Sequence, residues 1–248
     1  MTSASEQARA LLDPSRIHVT IDDSAGYLDI LGREDELPTV SLKAMRNPVV
    51  AAIYERLWRP AFTRALSWGG RGAADYGAKL VERIGRPGDR AILDVACGPG
   101  LHTKRLAAGL TGDGISIGLD FSPPMLARAV ADNSGDRVAY IRGDAHHPPF
   151  ADNTFDAFVC LAALWLIPDP LTVVDQLVRV TKPGGEIAIF ATVRTFVSSG
   201  PIVNFTAQRT GLKIFGRHEL SDRLRSAGVV QIEQTITGET QYVIGRRS

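Results

Sequence analysis

From Arg90 onward, short apolar runs of β-forming residues alternate with amphipathic helical stretches, the pattern of a parallel sheet covered on both faces. Strands are predicted at 91–95 (AILDV), 115–119 (ISIGL), 138–141 (VAYI), 155–160 (FDAFVC) and 186–192 (EIAIFAT), bounded by turn residues such as Asp152-Asn153 and Pro183-Gly184-Gly185. Helical periodicity covers 101–109, 123–133 and 170–180, the last with Leu171, Val174, Leu177 and Val180 on one stripe. The tail reads differently: a helix over 216–227, then strands over 229–237 and 241–245 joined by Thr237-Gly238-Glu239, a closing antiparallel hairpin. The expected fold is therefore α/β, a doubly wound seven-stranded sheet of five parallel strands plus that hairpin.

Residues 1–85 form a separate compositional zone. A polar stretch at 21–39 leads into a helical one at 49–68, interrupted by Pro60, and a further helix is predicted at 72–84. Tyr54, Leu57, Trp58 and Phe62 recur at spacings of three and four and give one aromatic stripe, flanked by Arg56 and Arg59, with Tyr76 on the next helix. We expect this segment to be a helical cap on a main domain at 86–248, with Tyr54, Trp58 and Arg59 in the wall of a substrate pocket. The alternative is that the stripe packs on the outer helices of the sheet.

With 248 residues, 44% hydrophobic and 22% charged, the chain has enough apolar material for one sizeable domain with an appendage. Lys+Arg 28 against Asp+Glu 27 leaves a net charge of +1, so no cationic surplus faces a phosphate backbone and nucleic acid is not expected as a partner. The longest apolar run, 157–167, has 11 residues and stops at Pro168, well short of a transmembrane segment. Residues 1–14 carry Arg9 and Asp13 and lack the apolar stretch of a secretory signal, so a cytoplasmic location is expected. Cys97 and Cys160 sit in or beside apolar runs, which suits reduced, buried thiols and supports neither a disulfide framework nor a zinc cluster. No metal is expected; the nearest approach to a ligand set is Asp144 with His146-His147. Nothing in the pattern fixes the oligomeric state.

The sharpest chemical signal is AILDVACGPG, a strand that ends in Asp94 and Val95 and runs through Gly98-Pro99-Gly100 into a helix. Glycines there let backbone approach a ligand, and the new helix offers unpaired N–H groups to an anion. A dinucleotide fingerprint would place its third glycine where Thr103 stands, which demotes NAD. The second strand ends in Gly118-Leu119-Asp120 and the third in Gly143-Asp144-Ala145, so two carboxylates follow successive parallel strands into one crevice. The plainer alternative is that Asp120 only caps the helix starting at Pro123 and that Phe121 is core.

At these residues the chain resembles class I S-adenosylmethionine-dependent methyltransferases of Rossmann-like fold. The resemblance rests on Asp94 to Gly100, on Leu119-Asp120-Phe121-Ser122-Pro123-Pro124-Met125-Leu126, on Gly143-Asp144-Ala145 with Pro149-Phe150 and Phe155-Asp156, and on Lys182-Pro183-Gly184-Gly185. Within that family it is similar to the ubiquinone/menaquinone-biosynthesis-like branch, methyltransferase type 11. Asn47-Pro48-Val49-Val50, with Tyr54-Glu55-Arg56 and Trp58-Arg59, resembles plant plastid members, whose cysteine-rich knuckle has no counterpart here because no Cys precedes Cys97.

The resemblance implies S-adenosylmethionine as cofactor and S-adenosylhomocysteine as product. It places Asp120 on the ribose hydroxyls, Asp144 and Ala145 at the adenine with Gly143 in the same turn, and Phe121 and Met125 on either face of the ring. Gly98 and Gly100 would clear space for the methionine part beside Asp94 and Ala96, with Leu161 completing the cofactor lining. Methyl transfer from a sulfonium is an in-line displacement, so a base is needed only when the acceptor starts protonated. Candidate catalytic residues are His146 and His147, with solvated loop histidines as the alternative, and Trp165, equally readable as acceptor wall or as core. His102 opens the first helix beside Gly100, either facing the ligand carboxylate or simply exposed. Leu161-Ala162-Ala163-Leu164 lacks the signature of exocyclic-amine methylases. The expected activity is methylation of oxygen or carbon on a small, apolar or aromatic acceptor, its pocket lined by Leu161, Leu164, Trp165, Leu166 and Phe196. The rival is a cofactor-binding module without turnover that serves as a scaffold, and a nicotinamide oxidoreductase ranks third.

Overall fold

The computed structural model describes residues 3–32, 47, 71–161, 163–200, 209 and 211–248. Its centre is a single eight-stranded sheet. In chain order the elements are α1 (Ala4–Ala10), β1 (Leu28–Asp29), α2 (Arg71–Ile84), β2 (Ala91–Val95), α3 (Leu101–Ala107), β3 (Ile115–Asp120), α4 (Pro123–Asn133) and β4 (Val138–Arg142). Then come β5 (Phe155–Leu161), α5 (Pro170–Val180), β6 (Thr181–Thr192), α6 (Glu219–Ser226), β7 (Val229–Thr237) and β8 (Thr240–Arg247). The strand order is β1-β4-β3-β2-β5-β6-β8-β7, parallel from β1 to β6 and antiparallel for β8 and β7.

Every residue of β3 and of β4 is buried, as strands covered on both faces require. Phe150, Phe155 and Phe158 fill the middle of the core. Pro123 and Pro170 sit at helix starts, where a missing N–H costs nothing. The buried face of α5 carries Val173, Val174, Leu177, Val178 and Val180, so the predicted stripe is rotated: Leu171 is only half-buried.

Two expectations need correction. The sheet has eight strands, not seven, because Leu28 and Asp29 pair with Ile141 and Arg142 at the edge. That addition is held by chemistry with no local sequence signal: Arg142, 4% exposed, places its Nη1 2.7 Å from Asp29 Oδ2. Residues 3–32 thus join the sheet edge, with Leu12 bridged to Phe150 and Ala8 buried in the core. Strand β6 also begins earlier than Glu186, at Thr181, and takes Pro183-Gly184-Gly185 in as an irregularity of register between Phe155 and Ala157. The helix expected at 49–68, and Tyr54, Leu57, Trp58, Arg59 and Phe62 with it, lies outside the described residues.

The chain runs β2, β3, β4 towards one edge and then β5, β6 towards the other, so the order reverses between β2 and β5. Ligands of such sheets bind in the crevice beyond the carboxyl ends of the strands at that reversal.

Candidate active site

Strand β2 ends at Val95 and the chain turns at once, with Ala96 at φ 53° and Gly98 at φ 54°. A left-handed alanine is uncommon and costs roughly 1–2 kcal/mol, which the surrounding bonds must hold in place. They do: Cys97 N–H donates to Leu119 O at 3.2 Å and Gly98 N–H donates to Asp120 Oδ2 at 2.8 Å. Ser122 N–H donates to Asp120 Oδ1 at 2.9 Å, and Gly143 N–H donates to Asp120 O at 3.0 Å. The ends of β2, β3 and β4 are thereby tied together through Asp120, and Ala96, Gly98, Asp120, Phe121 and Gly143 share one place. Burial pushes the Asp120 carboxyl up to about 6, against the downward pull of the Ser122, Gly98 and Phe121 N–H groups. Those three N–H groups leave the carboxylate part of its acceptor capacity for a further donor.

The two glycines of the turn do different work. A Cβ on Gly98 would meet nothing within 4 Å, so its open side is where a ligand can lie against backbone. A Cβ on Gly100, at φ 82°, would stand 2.2 Å from Tyr140 Oη. Gly100 therefore makes room for Tyr140, whose hydroxyl donates to Asn133 O at 2.8 Å. Asp94 is 2% exposed and accepts from Thr103 Oγ1 at 2.6 Å. Thr103, the residue that breaks the dinucleotide fingerprint, thus anchors the acid of the turn from the first helical turns of α3. Sequence reasoning missed that partnership, although a Thr on the buried face of α3, nine positions after the acid, was its available signal.

Asp144 lies in the next turn, 42% exposed at its side chain, with His146 and His147 folded back onto it. His146 N–H donates to Asp144 Oδ1 at 2.9 Å, and His146 Nδ1 lies 2.8 Å from the same oxygen. His146 Nε2 lies 2.7 Å from Pro168 O, and His147 Nδ1 is 3.1 Å from Asp144 Oδ2. Burial raises the Asp144 carboxyl, but the His146 and His147 bonds outweigh it and hold the group well below the usual carboxylate range. Correspondingly, the bond to Asp144 pushes His146 up. Both ring nitrogens of His146 face acceptors, a carboxylate and a carbonyl, an arrangement that favours the doubly protonated ring and joins the β4 turn to the loop after β5. Such a group has no lone pair with which to act as a base. His147 is 86% exposed at its side chain.

Met125 is buried, Phe121 and Ala145 are half-buried, and Leu161 ends β5 opposite Phe190 of β6. Trp165, 3% exposed, packs edge-on against Phe190 at 5.9 Å between ring centroids, and Phe190 stacks on Tyr242 at 4.5 Å. Trp165 is thus part of the buried core cluster. Phe196, just past β6, is 97% exposed. Cys97 and Cys160 are buried and unpaired, and burial pushes both thiols up. Among the described residues, no group of three or more His, Cys, Asp or Glu side chains is placed to hold a metal ion, and no helix is long and apolar enough to cross a membrane.

Comparison with known proteins meets this geometry from outside. Residues 93–189 match the family described as "Methyltransferase domain". An uncharacterised chloroplastic methyltransferase of Arabidopsis thaliana is 28% identical over 226 residues, covering 85% of this chain and 62% of that protein. The demethylmenaquinone methyltransferase of Lactiplantibacillus plantarum is 41% identical over 105 residues, 41% of this chain and 44% of the relative. That of Geobacillus sp. is 31% identical over 169 residues, 58% and 72% respectively. The match thus spans under two thirds of the Arabidopsis and Lactiplantibacillus relatives. In fold, the chain is similar to a structure of the Haloferax volcanii complex of the Trm112 methyltransferase activator with a methyltransferase, at TM-score 0.62 and 19% identity, covering 85% and 99% of the two chains. It is also similar to Haemonchus contortus phosphoethanolamine N-methyltransferase 2, solved with S-adenosylhomocysteine, at TM-score 0.61 and 16% identity, covering 82% and 60%.

Proposed function

The chain belongs to the S-adenosylmethionine-dependent methyltransferase family, and from that premise we propose that it methylates oxygen or carbon of a small, quinol-like aromatic acceptor. The observation that carries the cofactor part is Asp120: a buried carboxylate at the tip of β3, bonded to the glycine turn beside it and with acceptor capacity left over. A ribose diol supplies the two hydroxyl donors such a group lacks, and the open side of Gly98 accommodates an aliphatic chain against backbone. The residues present therefore fit the cofactor. When bound, it supplies an electrophilic methyl group on a sulfonium.

What the chain does around that methyl is mainly positioning. Asp120 and the turn 96–100 fix the nucleoside end, Gly143 and Ala145 border the adenine position, and Phe121 and Met125 offer apolar faces to it. Asp144 reaches adenine only with the oxygen capacity His146 and His147 leave it. Leu161, half-buried at the end of β5, is backed by the buried Leu164, Trp165 and Phe190, and this apolar surrounding would keep water from the transfer. His146 is occupied as a clamp and His147 points to solvent, so neither stands as a base, which suits an acceptor that arrives as its own nucleophile, such as an electron-rich ring carbon or a phenolate.

The acceptor class draws on the relatives named for demethylmenaquinone and on this aromatic wall. The same relatives favour turnover over a scaffold without it. Tyr54, Trp58 and Arg59 belong to the proposal as acceptor contacts from residues 1–85. The test is transfer of isotopically labelled methyl from the cofactor to reduced demethylmenaquinone, to 1,4-dihydroxynaphthalene and to a nucleoside. Label in either quinol and none in the nucleoside is expected; label in the nucleoside alone, or in nothing, would sink the acceptor assignment.

A further inference from the structure

The end of the sheet remote from Gly98 and Asp120 carries a charge cluster with no part in methyl transfer. Glu186 of β6 pairs with Ala157 of β5, which pairs with Ile92 at the start of β2, and on its other side with Arg246 of β8. Its side chain is 8% exposed, and four guanidiniums converge on it, those of Arg83, Arg86, Arg90 and Arg246. Arg86 and Arg90 share Oε2, Arg90 through Nη2 at 2.7 Å, and each donates as well to a backbone carbonyl, Arg83 O and Ile84 O respectively. Burial raises the Glu186 carboxyl, but Arg86 and Arg90 outweigh it and hold the group below its ordinary value. Arg83 Nε and Arg246 Nη2 each stand 3.9 Å from Oε1, beyond hydrogen-bond length. Neither side chain donates to any other acceptor among the described residues, and the two are 57% and 46% exposed.

Arg83 and Arg246 line a half-enclosed cleft of about 390 Å³ between α2 and the closing hairpin. Its apolar lining, Leu80, Ile84 and Ile244, is buried, and Gln231 and Glu233 are exposed at its rim. Gln231 is left-handed, at φ 52°, where the register of β7 breaks between Val230 and Glu233. Such a bulge re-aims a side chain, and a left-handed residue other than glycine persists only where its surroundings hold it. The Gln231 amide meets no partner among the described residues, so its donors are available at the rim. Counting Glu186 and Glu233 against the four arginines, the cluster keeps two positive charges in surplus, in a chain whose whole net charge is +1. Like charges gathered around one shared carboxylate repel each other, and an oxyanion accepting from both outer guanidiniums relieves that while gaining charge-assisted bonds.

We propose that this cleft binds the phosphate group of a small soluble ligand, with Arg83 and Arg246 as its charged donors and the Gln231 amide at its rim. Glu186, fixed by Arg86 and Arg90, holds the two outer guanidiniums at the cleft, and Glu233 on the rim weakens the attraction for anions. A half-enclosed cleft between a helix and a bulged strand suits one tetrahedral oxyanion better than a flat lipid surface. It lies at the opposite end of the strands from Asp120, so the two sites can be filled together.

The experiment titrates inorganic phosphate into the full chain by calorimetry, with ionic strength held constant by potassium chloride, and follows thermal unfolding on the same samples. Wild type, Arg83→Ala, Arg246→Ala and Glu233→Gln are compared, each with and without saturating S-adenosylhomocysteine. Wild type should bind one phosphate per chain and unfold at a higher temperature in phosphate than in chloride. Arg83→Ala and Arg246→Ala should each weaken phosphate tenfold or more, whereas Glu233→Gln should tighten it severalfold, a gain that a merely structural ion-pair cluster would not show. Saturating S-adenosylhomocysteine should leave phosphate affinity unchanged, which separates this cleft from the cofactor crevice. Sedimentation with phosphatidylglycerol vesicles, against phosphatidylcholine vesicles, distinguishes a soluble phosphate from a lipid headgroup, and no sedimentation is expected. No saturable phosphate binding in wild type, equal binding in wild type and both arginine variants, displacement by S-adenosylhomocysteine, or capture by phosphatidylglycerol alone would each overturn the proposal.

Discussion

Lowering the pH from 6.5 to 5.0 should weaken S-adenosylhomocysteine binding through Asp120. Its carboxyl sits near 6 in the free protein because burial disfavours the charge. Two ribose hydroxyls donating to it favour the ionised form, so binding lowers that pKa and releases a proton from protonated protein. At pH 6.5 about three quarters of the Asp120 population is ionised and at pH 5.0 about one eleventh, so affinity should fall by up to about eightfold, roughly 1.2 kcal/mol. The sign for the free protein is the matching one. A carboxyl raised above its unfolded value contributes stability that is complete below about 3.8 and lost as pH rises through about 6. The thermal shift produced by the cofactor should accordingly be larger at pH 7 than at pH 5. The bond to Asp144 pushes His146 up as well, so its titration is read separately with the His146→Ala variant. The assay is titration calorimetry in two buffers of different ionisation enthalpy, on wild type and Asp120→Asn. The variant should bind more weakly, by about 1.5–3 kcal/mol, and without the pH dependence. Identical, pH-independent affinities in both proteins would remove Asp120 from the site.

Three further outcomes follow from the same geometry. Gly98→Ala should fold, at a cost of about 1–2 kcal/mol for its left-handed backbone, and lose cofactor affinity, whereas Gly100→Ala should lose about 2–4 kcal/mol of stability against Tyr140, as read by denaturant unfolding. His146→Ala should destabilise the fold at pH 6 more than at pH 9, because a His raised by its partner gives stability that is present below about 6.5 and lost as pH climbs through its folded value. Equal losses at the two pH values in chemical denaturation would contradict the imidazolium clamp. Asp29→Ala removes the carboxylate that Arg142 Nη1 meets and should cost about 1.5–3 kcal/mol, with amide exchange rising first at Leu28 and Ile141; unaltered exchange there would refute the role of the pair.

Why some of this was legible in the sequence and some was not follows from where the signals lie. The glycine turn, Asp120 at the end of β3 and the closing hairpin carry local signatures: apolar runs of strand length, φ-permissive glycines and acids at strand ends. Strand β1 carries none, since two residues have no period and their fixing partner Arg142 lies 113 positions away. Gly100 looked like a ligand-clearing glycine because sequence cannot place the Tyr140 ring over it. His146 and His147 were candidates for bases by residue type alone, and only the positions of Asp144 and Pro168 O turn His146 into a clamp. Glu239 carries no sequence signal beyond the turn Thr237-Gly238-Glu239, for its unpaired oxygen is a property of packing between β6 and the hairpin.

The most direct test of the central claim is a crystal structure of the chain grown with S-adenosylhomocysteine. The account predicts one nucleoside per chain beyond β2 and β3, both ribose hydroxyls within hydrogen-bond reach of Asp120 and the homocysteine chain across the open side of Gly98. A ligand seated elsewhere, or crystals at saturating ligand with Asp120 facing only Gly98 and Ser122, would contradict it.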